Sequence, residues 1–347
     1  MTHAEPEPRL SRSPTLKDVA QLAGVSVATA SKALSGGYPV SAQTRSRVMD
    51  AAQRISFTPN VLAQGLLSGQ TGTVGLITGE LDGRFSIPIL MGAEDAFGTG
   101  NVSIFLCDAR ADSIREQFHL RALLSRRVDG LIVVGSKTNP RASLGQNIPV
   151  PVVYAYAPSD DARDISVVPD NVQAGFDAAE HLVRSGRKNI LHIAGDEDYA
   201  ASIDRAAGIT AALNSHNLGL VGNSPWFGAW TEEWGRLATA QLLASHHAVD
   251  AILCGSDQIA RGVMDILRES GIDIPAQVAV MGFDNREIFT LASRPPLSSV
   301  DMNLESLGKM AAKRLVEAIA GNTVQGIESL PCRVVAREST DGSPLAR

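Results

Sequence analysis

The chain has 347 residues, 44% hydrophobic and 20% charged, with a formal net charge of −6 at pH 7. These values are close to the globular average, which excludes a wholly disordered chain and a collagen-like repeat, and the length predicts two or three compact units. No run of about 18 apolar residues occurs, so a membrane-spanning helix is excluded. The start of the chain is polar and proline-rich, without the apolar segment of a signal peptide, which predicts a cytoplasmic protein. Three widely spaced cysteines (Cys107, Cys254 and Cys332) predict buried, reduced thiols rather than disulfides or a metal cluster.

The charge is distributed unevenly along the chain. Residues 1–71 hold seven basic and four acidic side chains, a net +3, and residues 9–71 alone carry +5. The rest of the chain holds 24 basic and 33 acidic side chains, a net −9. A basic head on an acidic body is typical of a nucleic-acid-binding module joined to a second function, although a surplus of this size also arises by chance.

Three short helices are predicted in the head. Apolar side chains recur at helical spacing over residues 16–23, and Gly24 ends that pattern. Ser26 is a candidate N-cap for a second helix, which residues 36–39 (GGYP) end, and Ser41 opens a third helix. The inward side chains of the third helix are predicted to be Val48, Ala51, Ala52 and Ile55.

The first two helices have the spacing of a helix-turn-helix (LKDVAQLAGVSVATASKALS, residues 16–35). Ala20 is small where the helices would cross, Gly24 permits a left-handed turn, and Val25 fills the space between them. A recognition helix meets DNA bases near its start, and the candidate contacts there are Val27, Ala28, Thr29 and Lys32. Val27 fits the core as well as the groove, so its role is open at this point. The alternative for the whole segment is a small three-helix unit that does not bind DNA.

From Thr73 onward, short apolar runs alternate with amphipathic segments. The predicted strands are 74–78, 102–107, 130–135, 150–155, 190–195, 251–255 and 278–283. The predicted helices include 113–127, 171–185, 203–214, 232–245 and 257–270. This alternation predicts parallel sheets covered on both faces, in two α/β lobes, with ligands bound at the carboxyl ends of the strands.

Several segments together resemble the LacI/GalR family of bacterial repressors. The head carries TLKDVAQLAGVSVATASKAL, VSAQTRSRVMDAA and FTPNVLAQGLLSGQTGTVGLI. The body continues in family order with VPDNVQAGFDAAEHLVRSGRKNILHIAG, DRAAGITAAL, SDQIARGVMDILRESGIDIPAQVAVMGFDN and RPPLSSVDMNLESLGKMAAKRLVEAIAG. The resemblance runs from Thr15 to about Val335, so it covers most of the chain.

The resemblance implies a division of the chain into a tail, a head, a hinge and a body. The expected ranges are 1–14 for a disordered tail, 15–58 for the helix-turn-helix domain, 59–71 for a hinge helix with its linker, and 72–347 for the effector-binding and dimerisation domain. The body is expected to have the periplasmic sugar-binding fold, a small all-α head being followed by two doubly wound parallel-sheet lobes. Lobe one would hold about 72–170 and 303–330, and lobe two about 171–302 and 331–347.

In the family the hinge helix folds in the DNA minor groove when two chains pair. The resemblance assigns the intercalating leucine to Leu66, with Ala63 beside it facing the groove. An apolar wedge of this kind unstacks a base step and bends the duplex. Without the resemblance, Leu66 and its apolar neighbours would be a small core stripe. Gly65 lowers the helix propensity of this segment by roughly 1 kcal/mol relative to alanine, which favours folding on DNA only.

Seven positions in the body are assigned to the effector site by resemblance. Arg205 corresponds to an arginine that holds sugar hydroxyls or a carboxylate, Asp284 to an acidic residue that closes the cleft, and Trp230 to an aromatic ring that stacks on a sugar or base. Their alternatives are a surface charge, a turn-forming Asp and a core aromatic residue. Phe85 lies in the first cleft loop, and Asp257 follows a predicted strand but also fits a helix cap.

Two departures from the family pattern limit the ligand. Tyr156 stands where many relatives have an Asp, and Ser256 replaces an Asn that often bonds the ligand. With fewer carboxylates and amides, a disaccharide or galactoside is less favoured than a monosaccharide, a pentose or a nucleoside. A hypoxanthine-like or guanine-like corepressor is the alternative.

The resulting prediction is a transcriptional regulator, expected to be a repressor, that binds a palindromic operator in double-stranded DNA as a homodimer under the control of a small effector. No cofactor, metal or catalytic residue is implied. The rival class is an α/β enzyme with a DNA-binding head, but phosphate-loop, zinc-protease and nucleophile-elbow motifs are missing from the sequence. The chain after Val335 has no heptads, so a coiled-coil tetramer is not expected.

Overall fold

The computed structural model describes residues 14–35, 40–57, 70–81, 84–98, 102–245, 247–322 and 324–341. They belong to two units, which divide between Gly72 and Thr73. Within these ranges no helix is long and apolar enough to cross a membrane. The same ranges contain no group of His, Cys, Asp and Glu side chains placed to hold a metal ion.

The head contains helices α1 (Leu16–Ala23), α2 (Val27–Ser35) and α3 (Ala42–Arg54) in its described part. Their shared core is made mostly of small side chains, namely Val19, Ala20, Ala23, Ala30, Ala33, Val48, Ala51 and Ala52. Because alanine adds only one methyl group, the three helix backbones can approach each other closely. The helix-turn-helix therefore has a thin core, against which larger side chains such as Leu16, Val25 and Phe57 pack as partly buried residues.

Local hydrogen bonds set where these helices begin and end. Thr15 and Asp18 form a capping box at the start of α1. Gly24 ends that helix with φ +65°. This left-handed conformation is unfavourable for residues that have a Cβ atom. The hydroxyls of Ser26 and Ser41 accept hydrogen bonds from backbone N–H groups three residues later, at 3.1 Å and 3.2 Å. The helix starts predicted at Ser26 and Ser41 are thus confirmed.

The body is built from short strands and longer helices that mostly alternate. In chain order the elements are β1 (Thr73–Thr78), α4 (Ser86–Phe97), β2 (Ser103–Asp108), α5 (Ser113–Ser125), β3 (Gly130–Val134), β4 (Val152–Ala155), β5 (Ile165–Pro169), α6 (Asn171–Arg184), β6 (Ile190–Ile193), α7 (Ala200–Ser215), α8 (Glu232–Ser245), β7 (Ala251–Cys254), α9 (Asp257–Glu269), β8 (Ala279–Phe283), α10 (Glu287–Thr290), β9 (Ser298–Asp301), α11 (Leu304–Ile319), β10 (Gly326–Leu330), β11 (Arg333–Val335) and α12 (Glu338–Asp341). The predicted α/β class is confirmed.

Two sheets define two lobes in this body. The sheet of the first lobe has the order β10-β5-β4-β3-β1-β2, and the sheet of the second lobe has the order β11-β9-β8-β7-β6. Neighbouring strands are parallel throughout, except that β11 runs antiparallel to β9. The chain passes between the lobes at three crossovers, which we define as residues 169–171, 301–304 and 330–333.

Some elements differ from the sequence-based expectations. The strand β9 contains Ser298 and Ser299, which are both fully buried, and its polar sequence gives no strand signal by hydropathy. The Ser298 hydroxyl donates to the backbone carbonyl of Arg337 at 2.9 Å, so the polar group is satisfied inside the sheet. The expectation of three buried thiols is wrong in part, because Cys107 and Cys332 are only half-buried, although all three cysteines are free.

Candidate functional sites

Helix α2 exposes a short face near its start. Val27 is 46% exposed, and Ala28 and Lys32 are also exposed, whereas Ala30 and Ala33 on the opposite side are buried in the core. The Val27 side chain lies outside the core cluster, so a core role is not supported. Contact of Val27 with the DNA groove stays a prediction. A small apolar surface next to a lysine can contact base edges and the phosphate backbone together.

Thr29 is the fourth predicted DNA contact in this helix, and its side chain is half-buried. Its hydroxyl lies 2.8 Å from the Ser26 hydroxyl, in the same cap that starts α2. The two hydroxyls and the helix N-terminus form one polar group of the kind that bonds phosphate. Ala63 and Leu66, the contacts predicted for the hinge helix, lie outside the described residues.

A cavity of ≈ 250 Å³ lies between the two lobes at the carboxyl ends of their strands. The first lobe contributes the loop after β1, the end of β3 and the end of β4, and the second lobe contributes α7 and the loops before α8 and after β8. The lining residues are Glu80, Arg84, Phe85, Ser136, Thr138, Tyr156, Tyr199, Ala201, Arg205, Trp230 and Asp284. The position agrees with the general rule for ligand sites on open parallel sheets.

Each lobe presents a pair of aromatic rings to this cavity. Phe85 and Tyr156 stack with ring centroids 4.6 Å apart and planes inclined by 23°. Tyr199 and Trp230 meet edge to face at 5.5 Å. Two aromatic pairs on opposing lobes offer a small flat ligand apolar contact from both sides.

The Trp230 indole packs directly against the backbone of Gly195, in the space that a side chain there would occupy. A Cβ atom at Gly195 would lie 2.3 Å from Cε2 of the indole, which is closer than any stable contact. We expect Gly195→Ala to displace the Trp230 ring from the cavity wall while leaving the fold intact. Fluorescence of a variant in which Trp226 and Trp234 are replaced by Phe would report the change as a shifted emission maximum. An unchanged spectrum would contradict the packing inferred for Trp230.

The floor of the cavity carries Arg205, whose side chain is 2% exposed. Its Nε donates to Asn171 Oδ1 at 2.9 Å, one Nη donates to the Gly255 carbonyl at 2.7 Å, and the other lies 3.1 Å from the Met302 sulfur. The guanidinium also lies 4.4 Å from the Phe283 ring centroid. Arg205 is thus a buried charge compensated by hydrogen bonds and a cation–π contact.

An ion pair joins the lobes beside the cavity. Arg84 from the first lobe donates to Asp284 of the second lobe at 2.9 Å, and the Asp284 side chain is only 4% exposed. Burial raises the pKa of Asp284 despite the opposing charges of Arg84 and Arg205. A second interlobe contact involves Asn139, which donates to the Asp198 carbonyl at 2.8 Å and accepts from the Ala200 N–H at 3.1 Å. Side chains therefore bridge the two lobes at two places beside the cavity.

Two lining residues have unusual backbone conformations. Tyr156 directly follows β4 with φ +72°, and Asp284 directly follows β8 with φ +100°. A side chain other than glycine at positive φ costs on the order of 1–3 kcal/mol and persists where the surroundings impose it. At both strand ends this conformation turns a side chain into the cavity, which is a common property of binding sites.

Two polar atoms at the cavity are buried without a hydrogen-bond partner among the described residues. They are the Thr138 hydroxyl and the indole N–H of Trp230. Leaving such groups unpaired costs about 1–3 kcal/mol each. A ligand that accepts a hydrogen bond from Trp230 and pairs with Thr138 would recover that free energy.

Family models match both units of the chain. The model described as bacterial regulatory proteins, lacI family, matches residues 15–60. The model described as periplasmic binding protein-like domain matches residues 179–340. The first match covers the helix-turn-helix, and the second covers most of the second lobe together with α11 and the final strands.

Full-length relatives agree with these matches. Catabolite control protein A of Priestia megaterium is 32% identical over 329 residues, which covers 94% of this chain and 99% of the relative. The chain belongs to the LacI family of bacterial regulatory proteins. The HTH-type transcriptional repressor PurR of Actinobacillus pleuropneumoniae serotype 3 is also 32% identical, over 309 residues that cover 88% of this chain and 91% of the relative. Among solved structures, the lac repressor dimer bound to operator and the anti-inducer ONPF has a TM-score of 0.76 at 27% identity, covering 95% of this chain and 99% of that one.

As a LacI-family member, the chain is a DNA-binding transcriptional regulator with an effector-binding body. Of the seven effector residues predicted from the resemblance, five line the cavity: Phe85, Tyr156, Arg205, Trp230 and Asp284. They come from five separate loops or elements, which only the folded chain brings together. Their role as effector contacts stays a prediction.

Ser256 and Asp257 do not line the cavity. Both are fully buried, and the Ser256 hydroxyl caps α9 by accepting from the Ile259 N–H at 3.2 Å. Asp257 accepts from the Arg286 N–H at 2.8 Å and from the Ser299 hydroxyl. Burial and the nearby Asp284 raise the pKa of Asp257. The cap expected as the alternative for Asp257 is therefore formed by its neighbour Ser256. Asp257 instead supports the loop that carries Asp284 from a buried position.

Sequence reasoning missed several lining residues. Arg84 and Tyr199 are the most informative of them, since each contacts a predicted residue, Asp284 and Trp230 respectively. Arg84 directly precedes Phe85, so the prediction of Phe85 located this loop but not the arginine in it. Tyr199 lies just before α7, four residues after the Gly195 that ends a predicted strand, and position at a strand end was the available signal.

Proposed function

We propose that this chain is a repressor that binds a palindromic operator as a homodimer. A small effector that enters the interlobe cavity would lower or raise its affinity for the operator. The observation that carries the proposal is that one unit has an exposed recognition-helix face and the other has an aromatic-lined cavity between its two lobes. In this scheme the α2 helices of two chains read successive major grooves. The predicted hinge helix at 59–67, with Ala63 and Leu66, would bind the minor groove between them.

The effector is proposed to be a monosaccharide, a pentose or a nucleoside. A cavity of ≈ 250 Å³ has room for one or two small rings. The charges of Arg84 and Asp284 compensate each other, so the groups left for a ligand are hydroxyl and indole donors together with the Glu80 carboxylate. Purine bases form the second candidate class, because they stack on aromatic rings.

A ligand screen tests this part of the proposal. Thermal unfolding is measured with D-ribose, D-xylose, D-glucose, D-galactose, adenosine, guanosine, hypoxanthine and guanine. A compound present at about 100 times its dissociation constant should add about 2.7 kcal/mol to the free energy of unfolding. The expected hit also changes the fluorescence of Trp230 and loses its effect in Trp230→Ala. Stabilisation that survives in Trp230→Ala would place the ligand elsewhere.

The DNA-binding part is tested with Lys32. An operator is first selected from a random duplex library with the full chain, and its affinity is compared with that of a scrambled duplex. We expect Lys32→Ala to weaken specific binding by about 1–3 kcal/mol and to relax preference at one base position in each half-site. Lys17→Ala, which changes an exposed lysine on α1, serves as the matched control. If Lys32→Ala only reduces the salt dependence of operator affinity and leaves the base preference unchanged, Lys32 contacts phosphate instead of a base.

The proposed homodimer has a candidate surface on the first lobe. Strand β2 is an open edge of its sheet, and it exposes Phe105 (46%) and Leu106 (38%). The neighbouring helix α5 exposes Ile114 (77%) and Phe118 (65%). Exposed apolar side chains grouped at a sheet edge are characteristic of protein interfaces. A symmetric pairing of this surface would give the two-fold axis that a palindromic operator needs.

Effector control is proposed to act through the angle between the lobes. A ligand can shift a conformational equilibrium only by its differential affinity for the two states. Because both lobes line the cavity, a ligand that bridges them favours the closed arrangement. The effector would thereby bias the folding of the hinge segment and hence operator affinity.

A further inference from the structure

Arg205 contacts the crossovers as well as the cavity. Asn171, which accepts from its Nε at 2.9 Å, lies in the crossover at 169–171. Met302, whose sulfur is 3.1 Å from its Nη2, lies in the crossover at 301–304 and packs in the core of the first lobe. Arg205 itself belongs to α7 in the second lobe. One side chain therefore links both lobes through two of their three connections.

The third crossover is bonded to the other two. The N–H of Asp170 donates to the Leu330 carbonyl at 2.8 Å, which joins the first and third crossovers. Arg333 donates to Asp301 at 3.1 Å, which joins the third and second. The three connections are thus one hydrogen-bonded set, and Arg205 is the member of this set that also lines the ligand cavity.

Few donors of Arg205 remain for a ligand. A guanidinium has five N–H groups, and three of the directions from its nitrogens are taken by protein acceptors. The Phe283 ring lies 4.4 Å from the guanidinium carbon and covers one of its faces. By contrast, Thr138 and Trp230 keep buried polar atoms without a partner at the same cavity. Selectivity among ligands is better served by those groups than by a guanidinium that the protein already holds.

We propose that Arg205 is a positioning residue for the three crossovers, which ties them to the cavity and sets the angle between the lobes, rather than the residue that discriminates among effectors. The inference rests on the proposed function, the sensing of a ligand between the lobes, and it names the path by which occupancy reaches the crossovers. A ligand that shifts the guanidinium also shifts Asn171 and Met302. The cavity is thereby coupled to lobe rotation without any long-range relay.

Hydrogen exchange of the full chain without any ligand tests this role. In Arg205→Lys the charge is kept but the three-way fork is lost, and lysine cannot reach Asn171, Gly255 and Met302 together. We expect amide exchange to accelerate about tenfold or more in peptides covering all three crossovers, because the crossovers lose the charge-assisted hydrogen bonds that hold them together. A merely structural loss would instead accelerate exchange across the whole second lobe.

Arg187→Lys is the matched control. Arg187 is also part-buried in the second lobe and donates to two backbone carbonyls, those of Asp250 at 3.2 Å and Pro275 at 2.6 Å, away from the crossovers. Its variant should lower the urea midpoint without changing exchange at the crossovers. Equal crossover exchange in the Arg205 and Arg187 variants would overturn the proposal.

A milder variant keeps the test decisive if Arg205→Lys does not fold. Met302→Leu preserves volume and removes only the sulfur acceptor, so exchange should accelerate in the crossovers at 169–171 and 301–304. Unchanged exchange in both crossovers would overturn the positioning role of Arg205. Ligand binding in the effector screen is a separate readout, so failure of this positioning role and failure of effector sensing are distinguishable.

Discussion

Replacing His192 with leucine should make the free energy of unfolding of the body depend less on pH between pH 6.5 and pH 4. Burial lowers the pKa of His192 from 6.5 to about 4, and its Nδ1 pairs with the Leu253 carbonyl at 2.8 Å. The neutral ring is thus favoured in the folded state, so its stability contribution is full above pH 6.5 and is lost as the pH falls toward 4. The difference in pKa corresponds to about 3 kcal/mol.

The measurement is the free energy of unfolding in urea at pH 7.5, 6, 5 and 4, followed by tryptophan fluorescence. His192→Leu lowers stability at every pH because it leaves the Leu253 carbonyl without its partner. The decisive quantity is therefore the slope with pH, which should be flatter than in the wild type by about 3 kcal/mol over the range. His181, whose ring is half-buried and whose pKa burial also lowers, is the comparison. His181→Asn should flatten the slope less, and an unchanged slope in His192→Leu would contradict the assignment.

The sequence was sufficient where an element is defined by its own pattern. Strand β3, with the sequence GLIVV, is buried at every position, and hydropathy alone locates it. Ser26 caps α2 through an N–H three residues away, so the helix start is also local information. The head and most strands were predictable for this reason.

Elements that depend on distant partners were not predictable. Ser298 and Ser299 are acceptable in a buried strand only because Arg337 and Asp257 satisfy their hydroxyls from 39 and 42 residues away. The same holds at the site, where the function of Asp257 depends on the contacts it makes after folding. A carboxylate after a strand has the same local sequence whether it faces a ligand or supports a loop.

The site residues were predictable as positions but not as a constellation. Tyr156 and Asp284 directly follow strands, so their place at the carboxyl edge follows from the sheet. That Asp284 pairs with Arg84, across 200 residues and two lobes, is not contained in either segment. The consequence is chemical, because a carboxylate offered to a ligand differs from one already held by a cation.

Removing Arg84 should therefore have a large and pH-dependent cost. In Arg84→Met the Asp284 carboxylate, 4% exposed, is left buried without its cation. Breaking a buried pair from one side costs about 3–5 kcal/mol, reduced here because the Arg84 side chain is 21% exposed and partly screened by solvent. We expect a loss of about 2–3 kcal/mol at pH 8. The measurement is urea unfolding, with small-angle scattering to detect opening of the lobes.

The sign of the pH dependence follows from the carboxyl group. Burial already raises the pKa of Asp284, and loss of Arg84 raises it further. An acid with a raised folded-state pKa is stable while protonated and becomes destabilising as the pH rises, so the variant should be nearly as stable as the wild type in mild acid and lose stability toward pH 8. The same cost at all pH values would show that Arg84 acts by packing alone.

Asp284→Asn completes the comparison. The amide keeps an oxygen for Arg84 and carries no charge, so this variant should cost little at any pH. The double variant Arg84→Met, Asp284→Asn should recover most of the loss seen in Arg84→Met, giving a coupling free energy of about 2 kcal/mol. Arg163→Met, which breaks an exposed ion pair with Asp161, is the control and should leave unfolding unchanged. If the coupling is found and scattering shows a wider separation of the lobes in Arg84→Met, the pair has two roles. It compensates a buried charge, and it holds the two lobes together beside the cavity that an effector would enter.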